Sequence, residues 1–101
     1  SIKKAGYLKK SKTQQILGCS QEEFVKHIES QFQNGMSWDN IGEWELDHII
    51  PVSSAVNEEE VFLLNHYTNF QPLWREYNRR KADSYNEEDK KRFLDELKSI
   101  K

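Results

Sequence analysis

Residues 44–51, Trp44-Glu45-Leu46-Asp47-His48-Ile49-Ile50-Pro51, decide how this chain is read. Apolar and polar residues alternate from Trp44 to His48, the run then closes on two isoleucines, and Pro51 stops it. Period-two alternation ended by a proline predicts a half-buried strand over residues 44–50. The strand carries an aspartate directly before a histidine near its end. Successive strand residues point to opposite faces. Asp47 and His48 are therefore expected to converge only if the strand ends or bulges there.

Working outward, residues 36–43 read as a turn-rich connector with Trp38 as an anchor. Before it, Ser20 with Glu23 three residues on makes a capping box, and Phe24, Ile28 and Phe32 recur at helical spacing beside Val25. Gly35 supplies a stop, which predicts a helix from about 21 to 34. Downstream, Asn57 followed by three glutamates opens a short helix, acids in its first turn suiting the macrodipole, with Val61, Leu64 and Phe62 as the expected buried side. Residues 69–73, Asn69-Phe70-Gln71-Pro72-Leu73, predict a short strand that tolerates its proline only at an edge. A polar helix over 75–83 carries Asn78 and Lys81. Asn86 caps a last helix of about 87–100, with Phe93, Leu94, Leu97 and Ile100 as its apolar stripe. This order gives an α+β domain.

With 101 residues there is room for one domain, spanning 1–101. Only 36% of residues are apolar and 32% are charged, so the twelve aromatics must supply much of the core. No stretch approaches the roughly 20 apolar residues of a membrane span, and the Lys-containing start leads into no signal-peptide core. The expected location is cytoplasmic. A single cysteine excludes an internal disulfide and a Cys-rich zinc cluster. Cys19 reads as a packing residue, because no partner that would activate its thiol is visible.

The formal net charge of −2 does not favour nucleic acid, but the charge is unevenly spread. Residues 1–12 carry five lysines and no acid, whereas residues 20–60 carry ten acids against Lys26 alone. Local patches decide phosphate contact, and an acidic region can hold a divalent cation.

Three groups combine acid–base and metal-binding capacity: Asp47-His48, Asn69, and Asn78 with Lys81 one helical turn on. Phosphodiester hydrolysis needs what they supply. A neutral histidine can take a proton from water, and a hard divalent cation can hold the phosphate and the leaving oxygen. Oxygen ligands from Asp and Asn suit Mg²⁺ or Mn²⁺ better than zinc.

The series Leu46-Asp47-His48-Ile49-Ile50-Pro51, Asn69-Phe70-Gln71-Pro72-Leu73-Trp74 and Asn78-Arg79-Arg80-Lys81 resembles the HNH nuclease family. The likeness covers residues 44–83. The stretch from Ile16 to Trp38 is also similar to the lead-in of some phage and viral members. What the resemblance implies is a ββα-metal (His-Me finger) core with flanking N- and C-terminal helices, acting as a metal-dependent DNA endonuclease. On that basis His48 would be the general base, and Asp47 and Asn78 would bind one divalent ion. Asn69 would bond backbone across the loop between the strands and hold His48, and Lys81 would contact phosphate or steady the metal ligands. The last motif position is Asn where many members have a second His, which moves the expected metal toward Mg²⁺ or Mn²⁺. The nuclease domain that RNA-guided CRISPR effectors use on one DNA strand is similar.

Arg75, Arg79 and Arg80, with the N-terminal lysines, are candidate phosphate contacts. The expected partner is DNA, with sequence recognition left to another domain or a protein partner. Two other classes compete: a non-catalytic nucleic-acid-binding module that retains the HNH fold, and a protein-interaction domain suited to the acidic region. The former leaves the joint presence of Asp47, His48, Asn69 and Asn78 without a purpose. The latter leaves the whole motif series unexplained.

Overall fold

The computed structural model describes residues 15–100 of the chain, Ile100 by its backbone only. The lysines of residues 1–12 and the side chain of Ile100 lie outside the described residues. In chain order the elements are α1 (Gln21–Glu29), β1 (Trp44–His48), α2 (Glu58–Leu64), β2 (Phe70–Trp74), α3 (Arg75–Lys81) and α4 (Glu87–Ile100). Short 3₁₀ turns occupy Trp38–Asn40, Val52–Ser54 and Tyr67–Asn69. This is a small α+β arrangement with one two-stranded antiparallel sheet. None of the described helices is long and apolar enough to cross a membrane.

The caps form where the sequence places them. Ser20 Oγ accepts from the Glu23 N–H at 3.1 Å, and Asn57 Oδ1 accepts from Glu60 N–H at 2.8 Å. Asn86 Oδ1 accepts from Glu88 and Asp89. Each satisfies an otherwise orphaned donor of a helix start.

The first helix ends at Glu29 and not near 34. Side chains take over one carbonyl of its last turn: Ser30 Oγ and Gln31 Nε2 both donate to His27 O, at 2.7 and 3.3 Å. The next N–H groups then bond three residues back, Gln31 to Ile28 and Phe32 to Glu29. The tighter turn aims Phe32 at Trp38 and Trp44, with both ring centroids 5.2 Å away. Burial of this aromatic cluster outweighs continued helix. His27, on the same helix, lies half-buried against Tyr67.

β1 and β2 pair residue for residue from Trp44↔Trp74 to His48↔Phe70, with no bulge. Backbone bonds flank the ladder at Glu43–Arg75 and Ile49–Asn69, so odd-numbered β1 residues make the hydrogen-bonded pairs. Pro72, opposite Leu46, falls at a non-bonded pair. Its missing N–H points away from β1, toward the open side of an edge strand.

The two sheet faces have different neighbours. Trp44, Phe70 and Trp74 pack with Phe24, Ile28, Phe32 and Met36 on the α1 side. Glu45, Asp47, Gln71 and Leu73 alternate onto the other face, where α3 reaches Glu45 and Asp47. A second core joins Ile50, Leu63, Leu64, Leu94 and Leu97, with Val52, Ala55 and Phe93 against it.

The buried side of α2 is Leu63 and Leu64, whereas Val61 and Phe62 are 42% and 39% exposed. The helix is seven residues long, too short for periodicity to choose a face. Glu60 is the deciding residue. It turns inward with Leu63 and Leu64 because buried Lys90 of α4 meets its carboxylate at 3.0 Å and also donates to Ser54 O at 2.6 Å.

The Lys90 hydrogen bond holds the Glu60 carboxyl below the ordinary glutamate value of 4.5. A depressed folded-state value contributes stability that is present above the unfolded value and lost as pH falls through the folded one. Thermal stability is therefore expected to drop on acidification below pH 4.5. Glu60→Gln should flatten part of that drop in melts followed across pH. An unchanged acid limb would show that the pair is idle.

Candidate active site

Among the described residues β1 has β2 on one side and, beyond an isolated bridge from Ile41 to Trp44, an edge with no strand on the other. Along that edge runs a cleft of about 390 Å³ lined by Leu46, Asp47 and His48. The turn at 51–53 forms one wall, and Asn78 and Arg79 of α3, with residues 82–83, form the other. Asp47 and His48 alternate to opposite faces, as a regular strand requires, yet both residues line the cleft. The strand also stops at His48. Convergence thus comes from an ending and an open edge, without a bulge.

Asp47 is 8% exposed and has a partner at each oxygen. Gln71, directly opposite in the ladder, donates Nε2 to Oδ2 at 2.8 Å. Lys81 Nζ lies 3.4 Å from each carboxylate oxygen and donates to His48 O at 3.0 Å. One ammonium group thereby fixes both the acid and the strand end beside it. Asn78 sits one turn earlier on α3, and its Nδ2 donates to Glu45 Oε1 at 3.0 Å. That contact orients the amide, leaving Oδ1 as its uncommitted acceptor.

His48 Nε2 lies 2.9 Å from Asn65 Oδ1, and its ring packs on Phe70 at 4.5 Å between centroids. Asn69 lies behind the cleft, 1% exposed. Its Oδ1 accepts from Ile50 N–H at 2.9 Å, and its Nδ2 donates to Ile50 O and Leu64 O at 2.8 Å each. This side chain closes the long connection between the strands from within.

The predicted residues separate into groups. Asp47, His48, Asn78 and Arg79 share the cleft, Lys81 reaches it through Asp47, and Asn69 supports it. Arg75 and Arg80 do not line it. Arg75 continues the sheet through its N–H to Glu43 O, and Arg80 lies 5.6 Å from the Tyr77 ring centroid. Burial, with a contribution from Glu23, pushes the Cys19 thiol up, which suits a packing residue and not a nucleophile. His66 accepts from Thr68 N–H and caps the 67–69 turn.

Glu45, Gln71 and Asn65 complete the site, although their residue types did not single them out. Glu45 could have been found from alternation, being two residues before Asp47 on the same face. Gln71 needed the register. No spacing rule points to Asn65, which meets His48 from 17 residues away.

The donor set fits a hard divalent ion. A carboxylate and an amide oxygen line one cleft, and Mg²⁺ commonly accepts few protein ligands because it keeps several waters. Among the described residues no three of His, Cys, Asp and Glu cluster to hold a metal.

No family model matches the chain, and no solved structure matches it. Two uncharacterized proteins of Acanthamoeba polyphaga mimivirus are similar. One is 31% identical over 99 residues, which cover 88% of this chain and 44% of the relative. The other is 37% identical over 75 residues, covering 71% of this chain and 33% of the relative. The chain thus spans less than half the length of these two relatives.

Proposed function

We propose that this chain is a metal-dependent DNA endonuclease domain of the HNH kind, with β1, β2 and α3 as a ββα-metal core. The observation that carries the reading is the meeting of Asp47, His48 and Asn78 in one cleft, with Arg79 at its wall. Asp47 and Asn78 would hold one Mg²⁺ or Mn²⁺, which when bound supplies positive charge to the phosphate and to the departing oxygen. His48 takes a proton from water as the water oxygen bonds to phosphorus and the bond from phosphorus to the 3′ oxygen breaks, the departing 3′ oxygen keeping the bonding pair and taking a proton from solvent water. The products are 5′-phosphate and 3′-hydroxyl ends. Arg79 offers its guanidinium to a phosphate oxygen. Lys81 keeps the Asp47 carboxylate and the His48 backbone in place while this happens.

Supercoiled plasmid incubated with the protein and Mg²⁺ or Mn²⁺ tests the proposal. Relaxed circles that disappear with EDTA are expected. Plasmid binding without cleavage would instead favour a nucleic-acid-binding module that has lost the chemistry. Neither binding nor cleavage would point to a protein-interaction domain.

A further inference from the structure

His48 enters the cleft with one ring nitrogen already committed. Nε2 lies 2.9 Å from Asn65 Oδ1. The Asn65 amide cannot exchange its ends, because Nδ2 donates to Val61 O at 2.9 Å, one turn back on α2. An amide carries its donors on nitrogen only, so the end that faces His48 is an acceptor. The contact is then a hydrogen bond only with the imidazole hydrogen on Nε2. In a neutral ring that leaves Nδ1 bare. Among the described residues Nδ1 has no hydrogen-bond partner.

Asn65 is itself held by the core. It caps the C-terminus of α2, its N–H reaching back to Phe62 and Leu63 carbonyls. The preceding residues, Leu63 and Leu64, are buried against α4 residues. Asn69 ties Leu64 O to both backbone groups of Ile50. Asn65 therefore follows a residue pinned to the backbone two positions beyond His48. The ring is clamped at one nitrogen by Asn65 and along its face by Phe70.

We propose that Asn65 is a positioning residue which fixes His48 as the Nε2–H tautomer, so that Nδ1 is the atom that receives the proton from water. The assignment rests on the endonuclease reading for its chemical purpose, though the tautomer can be observed without any activity. A residue that acts through another in this way commonly changes activity 10–100-fold when removed, by analogy with the partners that orient metal-bound histidines.

Long-range ¹H–¹⁵N correlation of the neutral His48 ring reports the tautomer directly. The wild-type protein is expected to show Nε2–H alone. Asn65→Leu removes the acceptor and should give both tautomers, with kcat for plasmid nicking about 10–100-fold lower and KM little changed. Asn65→Asp keeps an acceptor oxygen for Nε2–H, though it loses the donation to Val61 O, and should restore the Nε2–H tautomer and part of kcat. An Nδ1–H ring in the wild type overturns the proposal, as does Asn65→Leu with unaltered tautomer and kcat. Should Asn65→Leu fail to fold, the wild-type spectrum and Asn65→Asp still decide. A wild-type protein with the Nε2–H ring that never nicks DNA sinks the endonuclease reading, and the role of Nδ1 with it.

Discussion

Asn69→Ala is expected to destabilise the domain by about 4 kcal/mol, a large share of the roughly 5–15 kcal/mol that holds a domain together. The residue is almost fully buried and serves three backbone groups: Ile50 N–H, Ile50 O and Leu64 O. Alanine leaves all three without that partner, and each unsatisfied buried group costs about 1–3 kcal/mol. The estimate sits low in the summed range because neighbouring chain can relax around a smaller side chain. Asn69→Asp is not a rescue. It keeps the acceptor for Ile50 N–H but turns a negative oxygen toward two carbonyls. Urea denaturation of both variants checks the expectation, and a loss below about 1 kcal/mol for alanine would show that the strand connection does not depend on this side chain.

His48→Ala is expected to behave in the opposite way, lowering the plasmid-nicking rate by about 10²–10⁴ while leaving the fold in place. A positioned general base contributes on that scale. The ring's structural ties are one hydrogen bond and one face contact, both near the open cleft. DNA binding, read by gel shift, should change little, because His48 is not among the groups offered to phosphate, such as Arg79 of α3. If the variant cut as fast as wild type, His48 would not be the base. Together the two substitutions separate support from chemistry: Asn69→Ala should cost stability first, whereas His48→Ala should cost turnover alone.

Much of this architecture is legible in local chemistry. Ser20, Asn57 and Asn86 start helices because a side-chain oxygen beside orphaned N–H groups acts within one turn. The alternation of residues 44–48 fixes a strand, and Pro72 marks its partner as an edge. What could not be read depends on contacts between distant residues. The early end of α1 follows from the meeting of Phe32 with Trp38 and Trp44. The inner face of α2 follows from Lys90, 30 residues beyond Glu60, which makes a charged position the buried one. α3 stops at Lys81, two residues before the expected 83, because Ala82 adopts φ 46°. An alanine rarely does so without tertiary compulsion.

The candidate site divides along the same line. Asp47, His48, Asn69, Asn78 and Lys81 stand out by type and order. The meeting of Asp47, His48 and Asn78 in one cleft could not be inferred, since alternation alone separates Asp47 from His48. An open strand edge resolves this, and edges are a property of the assembled sheet. Arg75, Arg79 and Arg80 looked equivalent in sequence, yet helical phase brings only Arg79 to the cleft.

The connection between β1 and β2, residues 49–69, also sets an order of events in folding. Strands joined by a two-residue turn can pair early, but this pair must first close a long loop at an entropic cost that no local contact offsets. Packing of Leu63 and Leu64 of α2 onto Ile50, a contact nearer in sequence than the strand pair, shortens that search by gathering the loop into a compact body. The sheet is then expected to form late, and the cleft with it. Stopped-flow kinetics should find that Leu64→Ala mainly slows folding, while Leu73→Ala mainly speeds unfolding. Equal effects on the two rates would mean that strands and helices condense together.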